Sequence, residues 1–548
     1  MQMRNKKAAN SKDITRRTAY IMLIAVLVFS GALSFSMFKG MSFYGDDFAY
    51  AGFMPLILSN SFQVNPNIFS LRLMLLYPMA FFVRIFGYTD LGAGMYAFIC
   101  YLASITLVFL IGKEFYSNKA SVLSALLFGI YPAIIKFNTE PNPMLPLIMF
   151  LLLSVIMFIY AKKRHNYWLY ALSGIFTFAG ALVNPLAYLY VLFFAAYILV
   201  DFLRGWIKKK PGPHYEYLIY FLGLVTALLI LGFVNMQIAQ NHNPFYELKL
   251  TNSYYSAAGG PDEIYYTNPS LTFYINGYFP YNNTNTQSLG QLFNINELNL
   301  NDVGFFSYFV LLFGIYLFAT RKKKYWFVLA WAAFLVTYME FGTMSVTHYF
   351  PIYKLMRFTT IVAPPLMLVL GFGITDLSDR LFKNKKLLKL VFIFAIVGFL
   401  FATSLPIDYE FYILNHNTTN QIKLMAQDLL KVPDLYNANV FGSALTPYYL
   451  DYYMGYPPMK SFGQYGNGKD LTTVLPTCSS IPNNTYLIIP DAYALNYINE
   501  IDLWPINESW AFDPSECGFS LYANIYNSSI ARNATYYTAY TGNIYYKS

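Results

Sequence analysis

Charge is what this sequence has least of. Of 548 residues only 12% are Asp, Glu, Lys or Arg, against 56% that are hydrophobic, and the mean hydropathy is +0.39. That balance excludes a water-soluble globular protein and describes a chain that crosses a membrane repeatedly. Cysteine is scarce as well. Of the three, Cys100 lies within an apolar run, while Cys478 and Cys517 fall in a polar C-terminal segment where a disulfide is permitted. There is no HExxH, no CxxC pair and no GxGxxG strand-helix unit, so the familiar zinc-protease, thiol-metal and dinucleotide signatures are missing. The nearest approach to a phosphate loop, Gly463 to Lys469, has Asp470 where Ser or Thr should hold magnesium and no clear strand before it. It reads as a turn.

What the sequence does have is long apolar runs. A spanning helix needs about 20 mostly apolar residues, and eleven such runs lie near 19–38, 93–112, 119–135, 143–161, 166–183, 185–203, 216–237, 304–320, 325–341, 359–376 and 388–404. The first follows Arg4, Lys6, Lys7, Lys12, Arg16 and Arg17 but is longer than a usual signal core and lacks a small-x-small cleavage site, so it reads as a retained helix. Basic residues stay on the cytoplasmic side of short loops. With the N-terminus inside, 24 of the 37 Lys and Arg fall in cytoplasmic segments, at 4–17, 113–119, 162–164, 204–210, 321–324 and 380–389. An odd number of spans then puts residues 405–548 outside. That segment holds six basic and twelve acidic residues, so the net charge of +9 reports topology and calls for no nucleic-acid partner. Six Asn-x-Ser/Thr sequons, at Asn282, Asn417, Asn483, Asn507, Asn527 and Asn533, also fall only in segments assigned to the outside.

The expected fold is therefore a polytopic α-helical membrane protein of about eleven transmembrane helices with a C-terminal mixed α/β extracytoplasmic domain. Its parts are a basic cytoplasmic tail (1–18), a transmembrane domain (19–404) and a soluble outer domain (405–548). The outer loops are 39–92, 136–142, 239–303 and 342–358. In the first of these, Pro55, Pro66, Pro78, Arg72 and Arg84 interrupt the apolar pattern, which predicts one or two helices lying along the interface. Lys39, Arg84 and Lys249 are expected to reach toward lipid phosphates. The outer domain is rich in Tyr, Asn and Pro, with strand-like runs such as Thr485 to Ile489 and an amphipathic helix near 420–431.

The rest of the chain is organised around Phe43 to Tyr50, which places Asp46 and Asp47 within a few residues of the first span. Such a pair either marks the polar end of a helix or belongs to a site, because charge near apolar surroundings persists where it binds or reacts. Glu140 stands in the short second outer loop just ahead of Pro141 and Pro143. It too has two readings, a cap favoured by a helix N-terminus or a site acid. Between the ninth and tenth runs come His348, Tyr349, Lys354 and Arg357, two of them basic residues placed outside against the general bias. Carboxylates (Asp46, Asp47, Glu140) beside cations (Arg72, Lys354, Arg357) at one membrane surface suit sugar transfer from a polyprenyl phosphate. A carboxylate takes the proton of an acceptor hydroxyl, and the cations bind the lipid phosphate as it gains charge. Tyr50, His348 and Tyr349 stand beside them as candidates for positioning acceptor or donor.

This layout resembles the lipid-phosphate-sugar-dependent glycosyltransferases of the GT-C fold, the group containing protein O-mannosyltransferases and the lipid A aminoarabinose transferases. The residues that match are Asp46-Asp47-Phe48-Ala49-Tyr50 for the Asp-Glu-x-x-Tyr of a first outer loop, with Asp replacing Glu. Glu140 matches the second acid, and Arg357-Phe358 followed by Pro364-Pro365 matches a later Arg-aromatic pair. The resemblance spans residues 15–404. It implies that Asp46 acts as base or places the acceptor, that Asp47 and Glu140 support it or bind metal, and that Arg357 holds the donor phosphate. The expected activity is transfer of a hexose or pentose from a polyprenyl (dolichyl) phosphate to a protein, glycan or lipid on the outer face. The competing reading is a transporter or flippase of lipid-linked or anionic substrates, which predicts charges within the spans and repeated halves. Charges gathered at the outer ends and the lack of an obvious repeat favour the enzyme.

Overall fold

The computed structural model describes residues 13–41, 47–64, 68–207, 214–238, 249, 304–343 and 356–431, with short segments at 439–442, 452–453, 460–461, 483, 485–490, 520–526 and 541–547. Within that set the apolar runs become helices. They are α1 (Arg16–Ser36), α2 (Asp47–Leu58), α3 (Leu73–Phe86), α4 (Asp90–Phe115), α5 (Asn118–Gly129), the single turn α6 (Pro132–Ile135), α7 (Met144–Arg164), α8 (Tyr167–Ala181), α9 (Tyr188–Ile207), α10 (Leu218–Ile238), α11 (Phe306–Ala319), α12 (Trp326–Phe341), α13 (Ala363–Leu381) and α14 (Lys386–Leu429). Six stretches are long and apolar enough to cross a membrane: Arg16–Ser36, Asp90–Phe115, Met144–Arg164, Pro185–Ile207, Phe358–Leu381 and Lys386–Tyr409. Leu73–Phe86, Leu218–Phe233 and Phe306–Ala319 are shorter apolar helices. The protein is a multi-pass membrane protein.

Short polar side chains set the helix starts. Thr15 accepts from the Thr18 amide, Thr89 from that of Gly92, Ser117 from that of Ala120 and Asn166 from that of Leu169, at 3.1–3.3 Å. Each satisfies an amide that the first turn leaves without a helical acceptor. The first outer loop contains two short helices, α2 and α3, each with an internal proline, Pro55 and Pro78.

Inside the bundle, small and hydroxylated residues replace the hydrophobic drive that lipid cannot supply. Ser154 bonds Ser173 and Thr177, and Thr177 bonds the Tyr220 hydroxyl, linking α7, α8 and α10 through a chain of hydroxyls 2.7–3.0 Å apart. Helices α8 and α10 approach so closely that a Cβ at Gly174 would lie 2.1 Å from the Tyr220 carbonyl oxygen, and one at Gly223 would lie 2.2 Å from that of Ala171.

One end of the bundle is fastened by ion pairs. Asp376 near the end of α13 accepts from Lys322 (2.6 Å) and from the hydroxyls of Tyr325 (2.8 Å), Tyr316 (2.8 Å) and Tyr116 (3.1 Å), and pairs with Arg380 (3.0 Å). Asp379 pairs with Lys389, Asp201 with Lys162, and Glu114 with Lys163, while Asp13 accepts from the backbone amides of Asn118 and Lys119.

The helix α14 runs 44 residues without a break, through Pro406. At 1.5 Å per residue it is about 66 Å long, roughly twice a bilayer core. The boundary expected at 405 therefore falls inside a helix, and the helix expected near 420–431 is the far end of this one. Beyond it, strands β1 (Asn439–Gly442), β2 (Lys460–Ser461), β3 (Thr485–Pro490), β4 (Ser520–Tyr526) and β5 (Thr541–Lys547) form a mixed sheet in the order β2-β1-β3-β5-β4. The β1 pairings are parallel and those of β5 antiparallel. The C-terminal part docks on the start of α4. Lys423 pairs with Asp90, the Tyr453 hydroxyl donates to Asp90 (2.6 Å), and the Tyr452 hydroxyl donates to the Thr89 carbonyl (2.8 Å). Burial, then the Asp90 charge, pushes the Tyr452 phenol well above its ordinary value.

Candidate active site

The end of the bundle opposite the ion pairs collects a second set of acids. Asp47, Glu140, Glu340 and Asp408 are all buried there, together with the cations Lys39 and Arg72. Burying a charge is costly unless it is compensated, so this grouping of both signs is the feature that needs a chemical reason.

Asp47 opens α2, in the first turn, where a helix favours an acid. Three residues on, Tyr50 is fully buried and accepts a hydrogen bond from the Arg72 guanidinium. The guanidinium carbon lies 5.3 Å from the Tyr50 ring centre and 5.2 Å from that of Phe69, and the two rings meet edge to face at 5.7 Å. Arg72 is thus held between aromatic faces at a fixed angle. It also occupies the N-cap of α3, a position where the helix dipole disfavours a cation and favours an anion. Cation and helix start together make a place for a negatively charged group.

Glu140 lies in the turn between α6 and α7. The capping role open to it belongs instead to Asn142, whose side-chain oxygen accepts from the Met144 amide at 3.1 Å. The turn rests on α4, where a Cβ at Gly94 would lie 2.1 Å from the Thr139 carbonyl oxygen. The 3-10 turn Met356–Val362, which carries Arg357, packs on both α6 and α7, the two elements that flank Glu140. Pro364 and Pro365 follow in the first turn of α13, where a missing amide hydrogen is harmless.

The structure thus joins Tyr50 to Arg72 directly and brings the turn holding Arg357 against the elements holding Glu140. Asp46, His348, Tyr349 and Lys354 lie outside the described residues. Lys39 corrects the sequence reading. Expected at the lipid surface, it is buried, and its ammonium donates to the carbonyls of Ile135 (2.9 Å) and Lys136 (2.7 Å). A lysine just past a span can reach headgroups, but here the chain turns inward and carbonyls at the end of α6 take the charge. Glu340 and Asp408 were not singled out from sequence, since each sits at the edge of an apolar run and reads as an end marker. Among the described residues no three His, Cys, Asp or Glu come together as a metal site. Asp46, the third acid of the divalent-metal set that the resemblance implies with Asp47 and Glu140, lies outside the described residues.

The fold is that of the GT-C membrane glycosyltransferases, and it resembles both mannosyltransferases and aminoarabinose transferases. Residues 54–230 match the family model described as dolichyl-phosphate-mannose-protein mannosyltransferase. ArnT from Cupriavidus metallidurans bound to undecaprenyl phosphate superposes with a TM-score of 0.58 at 11% identity, over 88% of this chain and 95% of that one. The archaeal oligosaccharyltransferase AglB from Archaeoglobus fulgidus, in complex with an inhibitory peptide and a dolichol-phosphate, gives 0.50 at 12% identity over 89% and 72%. No curated protein matches the chain. At these identities the solved structures speak for the fold.

Proposed function

We propose that this protein transfers a sugar from a polyprenyl-phosphate donor to an acceptor on the outer face of the membrane, with eleven spans, the N-terminus in the cytoplasm and the C-terminal domain outside. The observation that carries the reading is the Arg72–Tyr50 pair at the start of α3, next to the Asp46-Asp47 segment. A guanidinium fixed at a helix N-terminus suits a lipid phosphate, and Asp46, four residues before its partner in the sequence, suits the hydroxyl that attacks. The bound names of the GT-C relatives, undecaprenyl phosphate and dolichol-phosphate, favour a donor of that class.

Asp46 takes the proton of the acceptor hydroxyl as its oxygen attacks the anomeric carbon, a contribution of roughly 10²–10⁴ in rate. Asp47 and Glu140 hold the acceptor side in place. The sugar–phosphate bond breaks and its electron pair leaves on the lipid phosphate, whose growing charge is met by Arg72, Lys354 and Arg357, so these cations bind the transition state more tightly than the ground state. Tyr50, His348 and Tyr349 position donor or acceptor. The acceptor is a protein, glycan or lipid. The experiment is transfer of label from radiolabelled polyprenyl-phosphate sugars by the purified protein, with a membrane extract as acceptor. Transfer that vanishes in Asp46→Asn supports the reading, and no transfer from any donor, with donor binding also absent, moves the protein to the transporter class.

A further inference from the structure

We infer that Lys39 is a positioning residue that fixes the Glu140 turn. The inference rests on the reading of Glu140 as a site acid. A buried ammonium is expensive, and a methionine would fill the same space at far lower cost, so the charge itself has a task. Its place is informative. Nζ donates to the carbonyls of Ile135 and Lys136, the last residues before the turn. The backbone next to it completes the grip, because the Lys39 amide donates to the Thr139 hydroxyl (3.1 Å) and the Gly40 amide to the Thr139 carbonyl (3.2 Å).

Residues 39 and 40 therefore hold the turn at both its ends, at 135–136 and at 139. Glu140 is the next residue. Asp408 is buried and acts on Lys39 electrostatically, and α14 packs on α6.

The test compares Lys39→Met, Lys39→Arg, Asp408→Asn and Thr139→Val, each purified in detergent, by transfer kinetics and by amide hydrogen exchange of the 136–142 peptide. Misplacing a reacting group by about 1 Å costs roughly 10²-fold. Lys39→Met should lower kcat roughly 10- to 100-fold with the donor KM unchanged within about twofold, and should speed exchange across the turn. Lys39→Arg should recover part of kcat, because it keeps the charge and the donors. Asp408→Asn and Thr139→Val should move kcat and exchange the same way by less. Unchanged kcat and exchange in Lys39→Met would overturn the inference. So would a loss that Lys39→Arg shares in full together with a fallen melting temperature, since that describes a structural residue. If Lys39→Met does not fold, the Thr139 and Asp408 variants decide. If the wild type transfers no sugar from any donor, the functional reading fails, while exchange still shows whether the clamp exists.

Discussion

The two ends of the bundle treat charge in opposite ways. At one end the buried acid Asp376 is covered by cations that themselves face water: Lys322 and Arg380 keep side-chain exposures of 36% and 47%. At the other end the cations are as buried as the acids, Lys39 at 2% and Arg72 at 7% beside Asp47, Glu140, Glu340 and Asp408. The first arrangement fastens helix ends and tolerates solvent. The second holds both signs of charge dry, where each interaction is stronger and where a substrate can replace water. On the proposed function the contrast sets scaffold against site, and it can be broken by experiment.

The largest effect belongs to the dry end. Asp46→Asn should lower transfer roughly 10²- to 10⁴-fold, the share a general base contributes, while donor binding stays within about twofold of wild type. Label transfer together with a donor-binding isotherm measures both. Retained transfer would remove Asp46 from the base role.

Next comes the wet end, where stability should fall and chemistry should not. Asp376→Ala removes the acceptor shared by Lys322, Arg380, Tyr116, Tyr316 and Tyr325. The cost should be about 3 kcal/mol, the lower end for breaking a buried pair, because the two cations reach solvent and rehydrate. Thermal unfolding in detergent reads it. The surviving folded protein should transfer sugar at the wild-type rate, and a parallel loss of turnover would show that the two ends are coupled.

How much of this was legible in advance follows from the same contrast. Helices are announced by apolar runs and by the Thr, Ser and Asn that start them, so Thr89, Ser117 and Asn166 mark the beginnings of α4, α5 and α8 in the sequence itself. Tyr50 and Arg72 were both named from sequence, yet their contact was not, because 22 positions and a turn at 68–71 separate them. Lys39 was misread for a physical reason. A lysine after a span looks identical whether the chain continues along the lipid or folds inward, and only the position of residues 135–139 decides it. Likewise the end of the last apolar run set the boundary expected at 405, but the helix continues past it through Pro406, because a helix tolerates one missing hydrogen bond.

Arg72 tests whether the buried cations serve a ligand. Arg72→Ala removes a charge-assisted contact and should raise the donor KM roughly 10- to 100-fold, the equivalent of about 1.5–3 kcal/mol. Arg72→Lys should restore only part of it, since an ammonium cannot lie flat between Tyr50 and Phe69 while presenting two parallel donors. Titration with a polyprenyl-phosphate sugar measures the change. A variant that melts earlier but binds donor as before would return Arg72 to the scaffold.

The smallest effect concerns Lys324 at the wet end. It sits 3.8 Å from the Tyr116 ring centre, and burial, reinforced by the neighbouring Lys322, lowers its pKa to about 8. A lysine with a depressed folded-state value binds fewer protons folded than unfolded between about pH 8 and its ordinary range near 10.4, so stability rises with pH across that window. Below about pH 8 the charged form is retained at a constant cost. Lys324→Met should therefore melt slightly higher than wild type at pH 7, with the difference shrinking as pH climbs from 8 to 10 and the wild-type amine loses its proton. Melting curves of both proteins at several pH values measure it. The effect is small because the side chain is only partly withdrawn from solvent, where screening is strong. A Lys324→Met protein that instead melted lower than wild type at pH 7 would mean that the Tyr116 contact stabilises the cation more than burial disfavours it.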